Sequence, residues 1–78
     1  MTTPKIKLKS ELVVDQTETR TLAIKFRTKA GLTLSQVADE IQTSVSMVYY
    51  LETGKRKWTE ENFKSYTDAV EKLTNQPA

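Results

Sequence analysis

The stretch GLTLSQVADEIQTSVSMVYYLETGKR, residues 31–56, decides the fold of this chain of 78 residues. Its first half predicts a short amphipathic helix. Thr33 is a candidate N-cap, because a threonine hydroxyl can accept a hydrogen bond from a free N–H of the first turn. Apolar side chains follow it at the helical spacing i, i+3, i+4 and i+7, namely Leu34, Val37, Ala38 and Ile41.

The second half of the stretch predicts another helix. Ser44 can cap it, and Gly54 ends it because glycine adopts a positive φ without strain. Val48 and Leu51 share one face, which we expect to point inward. Only a short turn separates the two helices, so the stretch has the layout of a helix-turn-helix.

Helical spacing also precedes this stretch. Thr17 or Thr19 can cap a first helix, and Gly31 supplies its C-terminal stop. We expect four side chains of this helix to lie together on its core side: Leu22, Ala23, Phe26 and Ala30.

A fourth helix follows the stretch. Thr59 precedes Glu60 and Glu61, two acids that favour a helix N-terminus. Trp58, just before them, either fills the core or stacks at an interface. Apolar residues then recur at helical intervals and close the core: Phe63, Tyr66, Val70 and Leu73.

Residues 5–14 follow a different pattern, in which apolar and mostly charged side chains alternate. Period two over ten residues predicts a half-buried strand. Because the sequence has no second strand-like run, the natural partner of this strand is the same segment of another subunit. The alternative is a disordered basic arm. The candidate dimer contacts are the apolar positions Ile6, Leu8, Leu12 and Val14.

The composition excludes several chemistries. The chain has no cysteine, no histidine and only two glycines, so it lacks the common zinc ligands, the usual hydrolase nucleophile-base pairs and a glycine-rich phosphate loop. We expect no enzymatic activity, no metal, no cofactor and no small-molecule ligand. It also lacks a bilayer-spanning apolar run and a signal-peptide layout, so we expect a cytoplasmic protein with no membrane partner.

Charge is distributed unevenly although the net charge is only +2. Residues 1–30 carry seven Lys/Arg against three acids, residues 55–57 add three positive charges, and residues 59–78 carry four acids against two lysines. Basic patches that are separated from an acidic C-terminal segment favour contact with a polyanion on one side of the molecule. The alternative is a solvated surface on which charged residues cluster at random.

Residues 31–41 and 44–56 resemble the Cro/CI-type (XRE) helix-turn-helix family. The most specific elements are the Gly-Leu-Thr start, the Val-Ala pair and the Leu-Glu-Thr-Gly-Lys-Arg ending, and the likeness runs from about Leu22 to Leu73. It implies an all-α, compact four-helix domain of the lambda-repressor type. The expected organisation is an N-terminal arm or strand at 1–15 that dimerises or contacts DNA, the helix-turn-helix domain at 16–74, and a disordered C-terminus at 75–78.

The resemblance also implies a structural pair. Arg27 stands where the family often has an arginine that pairs with a glutamate at the end of the recognition helix, here Glu52. A bidentate Arg-carboxylate contact would hold this recognition helix, which is the third helix and is also called the reading helix below, at a fixed angle. The alternative is two unrelated surface charges.

The outer side of the third helix is where family members face the major groove. The candidate base-contacting residues are Val45, Ser46, Tyr49 and Tyr50, with Met47 at the boundary. The alternative for the tyrosines is that one packs into the core or a dimer interface. Candidate phosphate-contacting residues are Thr33, Ser35, Ser44, Lys55, Arg56 and Lys57.

Three positions depart from the family pattern. Gln42 replaces a turn glycine, Leu34 replaces a glutamine that braces the DNA contact, and Trp58 stands where proline is common. Because a non-glycine residue in the left-handed region costs about 1 kcal/mol, the turn at Gln42 is expected to differ slightly.

The sequence therefore predicts a sequence-specific regulator that binds double-stranded DNA. We expect a repressor that acts as a homodimer on a palindromic operator in the nucleoid of a bacterial or phage-infected cell. The alternative is an interaction module with the same fold, such as an antitoxin or adaptor.

Overall fold

A computed structural model describes residues 15–75 of the chain. The expectation of an all-α fold is confirmed, because the elements of these residues are four helices and no strand: α1 Gln16–Lys29, α2 Leu34–Ile41, α3 Val45–Thr53 and α4 Glu60–Thr74. The predicted strand, with Ile6, Leu8, Leu12 and Val14, lies outside the described residues, as do residues 76–78.

Side-chain caps begin α2 and α3 where the sequence predicts them. The Thr33 hydroxyl accepts a hydrogen bond from the Gln36 N–H at 3.1 Å, and the Ser44 hydroxyl accepts one from the Met47 N–H at 3.1 Å. Gln36 returns a second bond, since its side-chain oxygen accepts the Thr33 N–H at 2.8 Å. This reciprocal capping box fixes the start of α2.

The first helix begins earlier than predicted. Asp15, and not Thr17 or Thr19, is its N-cap, and the Asp15 carboxylate accepts the Glu18 N–H at 2.9 Å. Aspartate caps helices at least as well as threonine does. The earlier start also brings Gln16 into the helix.

The turns that end α1 and α2 share one backbone geometry. Gly31 and Gln42 both have a positive φ, of 74° and 70°. In each turn two N–H groups return to carbonyls of the last helical turn, for example Leu32 to Arg27 and Thr43 to Ala38. The turn at Gln42 therefore keeps the left-handed conformation that a glycine would adopt more easily.

The core is closed around Trp58, which is fully buried, so the first of its two predicted placements is confirmed. Its ring meets Tyr66 and Phe63 edge to face, with centroids 5.3 and 5.9 Å apart. Such aromatic pairs stabilise a core beyond the area that they bury. The other buried residues are Ala23, Val37, Ala38, Val48, Leu51, Ala69 and Val70.

Each helix packs mainly against two others. The first contacts α3 and α4, and so does α2. The helices therefore lie in the cyclic order α1, α3, α2, α4 around the core, and the outer side of α3 faces away from α4.

The core side of α1 differs from the prediction. Ala23 is buried and Ala30 packs half-buried against the core, as predicted, but Leu22 and Phe26 are 50% and 40% exposed. Arg27 takes the inward position instead, because Glu52 on α3 and the Leu32 carbonyl accept its hydrogen bonds. Leu22 and Phe26 are thus left on a groove between α1 and α4.

Candidate nucleic-acid interface

The outer face of α3 is solvent-exposed along its length. Val45, Ser46, Tyr49 and Tyr50 are all exposed, whereas Val48 and Leu51 are buried beneath them. Met47 is half-buried against the core, at the boundary where the spacing places it. The helix therefore separates its two faces cleanly, and the four predicted base-contacting side chains share one surface.

The two tyrosines stand next to each other on this surface. Their ring centroids are 6.2 Å apart and the side chains are 50% and 41% exposed. Neither ring packs into the core. The Lys55 ammonium lies 5.7 Å from the Tyr50 ring centroid, within the range of a cation-π contact. Tyr50 and Lys55 thus bring an aromatic ring, a hydroxyl and a positive charge together at one end of α3.

An ion pair that is mostly shielded from solvent ties α3 to α1. The Arg27 Nε donates to Glu52 Oε2 at 2.7 Å, and Nη2 donates to Oε1 at 2.9 Å. The two side chains are only 14% and 8% exposed. Arg27 Nη1 also donates to the Leu32 carbonyl at 2.8 Å, which includes the α1–α2 turn in the same network. Two parallel N–H···O bonds fix an orientation as well as a distance.

The same carboxylate also binds α4. The Tyr66 hydroxyl donates to Glu52 Oε2 at 2.5 Å. Nothing in the local pattern of the sequence indicated this contact, because Tyr66 reads there as an apolar core position. Glu52 therefore joins α1, α3 and α4 at one point, and the angle of α3 is fixed from two sides.

Arg27 and Tyr66, the two residues that donate to Glu52, each keep one protonation state near neutral pH. The hydrogen bond from Arg27 to Glu52 raises the pKa of the guanidinium, although burial lowers it somewhat. Burial raises the pKa of the Tyr66 phenol well above its ordinary value, and the hydrogen bond to Glu52 raises it further. The cluster thus consists of a charged guanidinium and a neutral phenol, both donating to one carboxylate.

The basic turn after α3, residues 55–57, is anchored at both ends. Gly54 ends α3 with a φ of 88°, and the Arg56 N–H returns to the Tyr50 carbonyl at 3.1 Å. On the other side, the Gln16 side-chain amide accepts the Trp58 N–H at 2.6 Å and donates to the Trp58 carbonyl at 2.8 Å. The three basic side chains, Lys55, Arg56 and Lys57, are exposed.

Sequence reasoning missed two residues that shape this turn. Gln16 holds the Trp58 backbone, and the Arg20 Nη1 lies 3.1 Å from the place where a Cβ on Gly54 would stand. A side chain at position 54 would require the end of the arginine side chain to shift slightly, and the positive φ of 88° would strain it in any case. The separations of 42 and 34 positions along the chain hide both contacts from any local pattern.

The remaining phosphate candidates lie at helix N-termini. Ser44 caps α3, and Thr33 and Ser35 are exposed at the start of α2. Within residues 15–75, no hydrogen bond or ion pair joins Thr33 or Ser35 to the outer side chains of α3. At each of these helix N-termini, N–H groups of the first turn lack an intrahelical acceptor and favour an anion.

Among residues 15–75, no three His, Cys, Asp or Glu side chains come together as a metal site. None of the four helices has the length and apolar character needed to traverse a bilayer.

Comparison with known proteins identifies a family for this arrangement of helices. A family model described as Helix-turn-helix matches residues 24–70. The match includes the whole of α2 and α3, the basic turn, the C-terminal part of α1 and most of α4. No curated protein and no solved structure matches the chain.

Proposed function

The chain belongs to the helix-turn-helix family of the Cro/CI type, whose members bind DNA, and we propose that it represses transcription as a homodimer on a palindromic operator. One observation carries this proposal: the outer face of α3 is exposed and is followed directly by an exposed basic turn. A polyanion with a major groove fits that combination better than a small ligand does.

The outer side chains of α3 suit a particular way of reading bases. The Ser46 hydroxyl can donate to or accept from a base edge, and Val45 can lie against a thymine methyl group. Tyr49 and Tyr50 can reach bases or phosphates through their hydroxyls. Since no arginine, asparagine or glutamine occupies this face, the strongest bidentate base contacts are missing. Specificity then rests on thymine contacts, DNA shape and the spacing of two subunits.

Phosphate contacts would hold the domain in register on the duplex. The Lys55 ammonium stands beside the reading helix, and the two helix N-termini point N–H groups outward. The proposed phosphate-contacting set is Thr33, Ser35, Ser44, Lys55, Arg56 and Lys57. Because the turn of residues 55–57 is hydrogen-bonded to α3 at one end and, through Trp58, to Gln16 of α1 at the other, its backbone keeps its position relative to the reading face.

A homodimer is proposed because two half-sites one helical turn apart mirror a protein with two-fold symmetry. Occupying a promoter would then block transcription without further chemistry. DNA binding of this kind would place the protein with the nucleoid in the cytoplasm of a bacterial or phage-infected cell. The apolar side chains Ile6, Leu8, Leu12 and Val14 stay a predicted dimer contact.

The salt dependence of DNA binding tests this function. If about five phosphates are contacted per subunit, the plot of log K against log [salt] has a slope of about −4 to −5 for each subunit. The probe is the duplex upstream of the protein's own operon, in a gel shift at several salt concentrations. Lys55→Gln should make the slope shallower by about 1, whereas Lys72→Gln, an exposed lysine on α4, should leave it unchanged.

An interaction module is the second candidate, because Val45, Tyr49 and Tyr50 form an exposed, largely apolar face that a partner protein could also cover. Such a module would bind duplex DNA weakly or with a flat salt response. A flat response in the gel shift would therefore favour the antitoxin or adaptor function over the proposed one.

A further inference from the structure

A second arginine of α1 lies against the end of α3. The Nη1 and Cζ atoms of Arg20 are 3.1 and 3.6 Å from the position that a Cβ on Gly54 would occupy. The Arg20 side chain is half-buried there. Arg20 and Arg27 are seven positions apart, which is about two helical turns, so both lie on the side of α1 that faces α3.

The two arginines differ in what they bind. Arg27 donates to the Glu52 carboxylate and to the Leu32 carbonyl. Arg20 has no hydrogen bond or ion pair with any residue of the range 15–75. If Arg20 served only to cap α3, its N–H groups would donate to the last carbonyls of that helix. Since no such bond forms, the five N–H donors of the Arg20 guanidinium remain available to a ligand.

The Arg20 side chain also lies beside the basic turn, residues 55–57. Gln16, which precedes Arg20 by one helical turn on the same face of α1, is hydrogen-bonded to the Trp58 backbone at 2.6 and 2.8 Å. Arg20 itself lies against Gly54. The first helix therefore contacts the chain on both sides of the basic turn, and the guanidinium stands where that turn begins.

Positive charges are thus grouped at one end of α3. The members of this group are Arg20, Lys55, Arg56 and Lys57. None of the ion pairs within residues 15–75 includes any of them. Because like charges repel one another, holding them close together without acids costs free energy in the unliganded protein. An anion bound among them would relieve this repulsion.

From this arrangement we propose that Arg20 binds a phosphate of the DNA backbone, so that α1 takes part in the DNA interface beside the basic turn. The planar fork of a guanidinium matches two oxygens of one phosphate. The Lys55 ammonium lies 5.7 Å from the centre of the Tyr50 ring, so the basic turn adjoins the reading face at this end of α3. The inference rests on the proposed function and deepens it, because it adds a phosphate contact that neither α2 nor α3 supplies.

Fluorescence anisotropy of the full chain over a range of salt concentrations tests the contact. Arg20→Gln should make the slope of log K against log [salt] shallower by about 1 and weaken binding about five- to tenfold at about 0.1 M salt. The matched control is Lys25→Gln. It makes the same change of charge on α1, but Lys25 is exposed on the groove between α1 and α4, so its slope should equal that of the original chain. Arg20→Lys keeps the charge and should recover most of the slope.

Sequence preference and stability separate a phosphate contact from a structural role. Phosphate contacts carry no sequence information, so Arg20→Gln should weaken binding to the duplex upstream of the protein's own operon and to a scrambled duplex by the same factor. Because Arg20 forms no hydrogen bond within residues 15–75, the urea midpoint of Arg20→Gln should match that of the original chain.

An unchanged salt slope in Arg20→Gln would overturn the inference, because a residue that only positions the turn displaces no counter-ions. A fall in the urea midpoint large enough to unfold the variant under the binding conditions would also overturn it. The scrambled duplex is a sufficient probe for the slope, so binding without sequence preference would count against the proposed operator and leave the contact of Arg20 supported. If the original chain bound no duplex even at low salt, the proposed function and the inference would both fall.

Discussion

Arg27 on α1 holds Glu52 on α3 through two parallel hydrogen bonds, of 2.7 and 2.9 Å. Because Tyr66 of α4 donates to the same carboxylate, the end of α3 is fixed by charged and polar contacts and not by apolar packing alone. This cluster relates the stability of the domain to the orientation of its candidate DNA surface.

Removing Arg27 should be costly. In Arg27→Gln the Glu52 carboxylate stays largely buried without its counter-charge, and breaking a buried pair in this way costs about 3 kcal/mol of unfolding free energy. Urea denaturation followed by circular dichroism measures the loss. The matched control is Lys64→Gln, which breaks the exposed pair with Asp68 and should cost less than about 0.5 kcal/mol. Equal effects for the two variants would show that the Glu52 cluster does not hold the domain together.

The cluster of Arg27, Glu52 and Tyr66 also predicts that the domain loses stability at alkaline pH. The pKa of Tyr66 is raised in the folded state, so its contribution to stability is complete below the unfolded value of about 10 and is lost as the pH rises above that value. The stability advantage of the original chain over Tyr66→Phe should shrink by about 1.4 kcal/mol for each pH unit above 10. Urea titrations at pH 9, 10 and 11 measure it. A constant difference would contradict a raised pKa at this position.

A glycine at position 42, in the turn between α2 and α3, should stabilise the domain. Gln42 has a φ of 70°, so Gln42→Gly should raise the unfolding free energy by up to about 1 kcal/mol through relief of left-handed strain. Gly31→Ala is the converse change. A Cβ there meets nothing within 4 Å, so its cost, also about 1 kcal/mol, is conformational. Thermal unfolding of both variants checks the pair, and a destabilised Gln42→Gly would refute this explanation.

The sequence predicted the helical framework well because local rules determine it. Thr33 and Ser44 cap the helices that they were expected to cap. The buried positions Val48 and Leu51 alternate with exposed ones at the helical period, so periodicity alone was enough to predict the two faces of α3. The family resemblance is confirmed by the match over residues 24–70.

Tertiary contacts were harder to predict. Leu22 and Phe26 are apolar and lie at core-like spacing, yet they line the α1–α4 groove because Arg27 occupies the inward position beside Glu52. The contact between Gln16 and the Trp58 backbone joins residues 42 positions apart. Local periodicity describes one helix at a time, so it cannot show which polar side chain finds a buried partner on another helix.

The central claim is that the outer face of α3 reads double-stranded DNA. Fluorescence anisotropy with a duplex selected from a random library, and with a scrambled duplex, gives the ratio of specific to non-specific affinity. We predict a ratio of about 10³ or more for the original chain and a large loss in Ser46→Ala/Tyr50→Ala, with non-specific affinity nearly unchanged. The claim would be contradicted if the double variant had the same ratio of specific to non-specific affinity as the original chain. It would also be contradicted if the original chain preferred no duplex from the library.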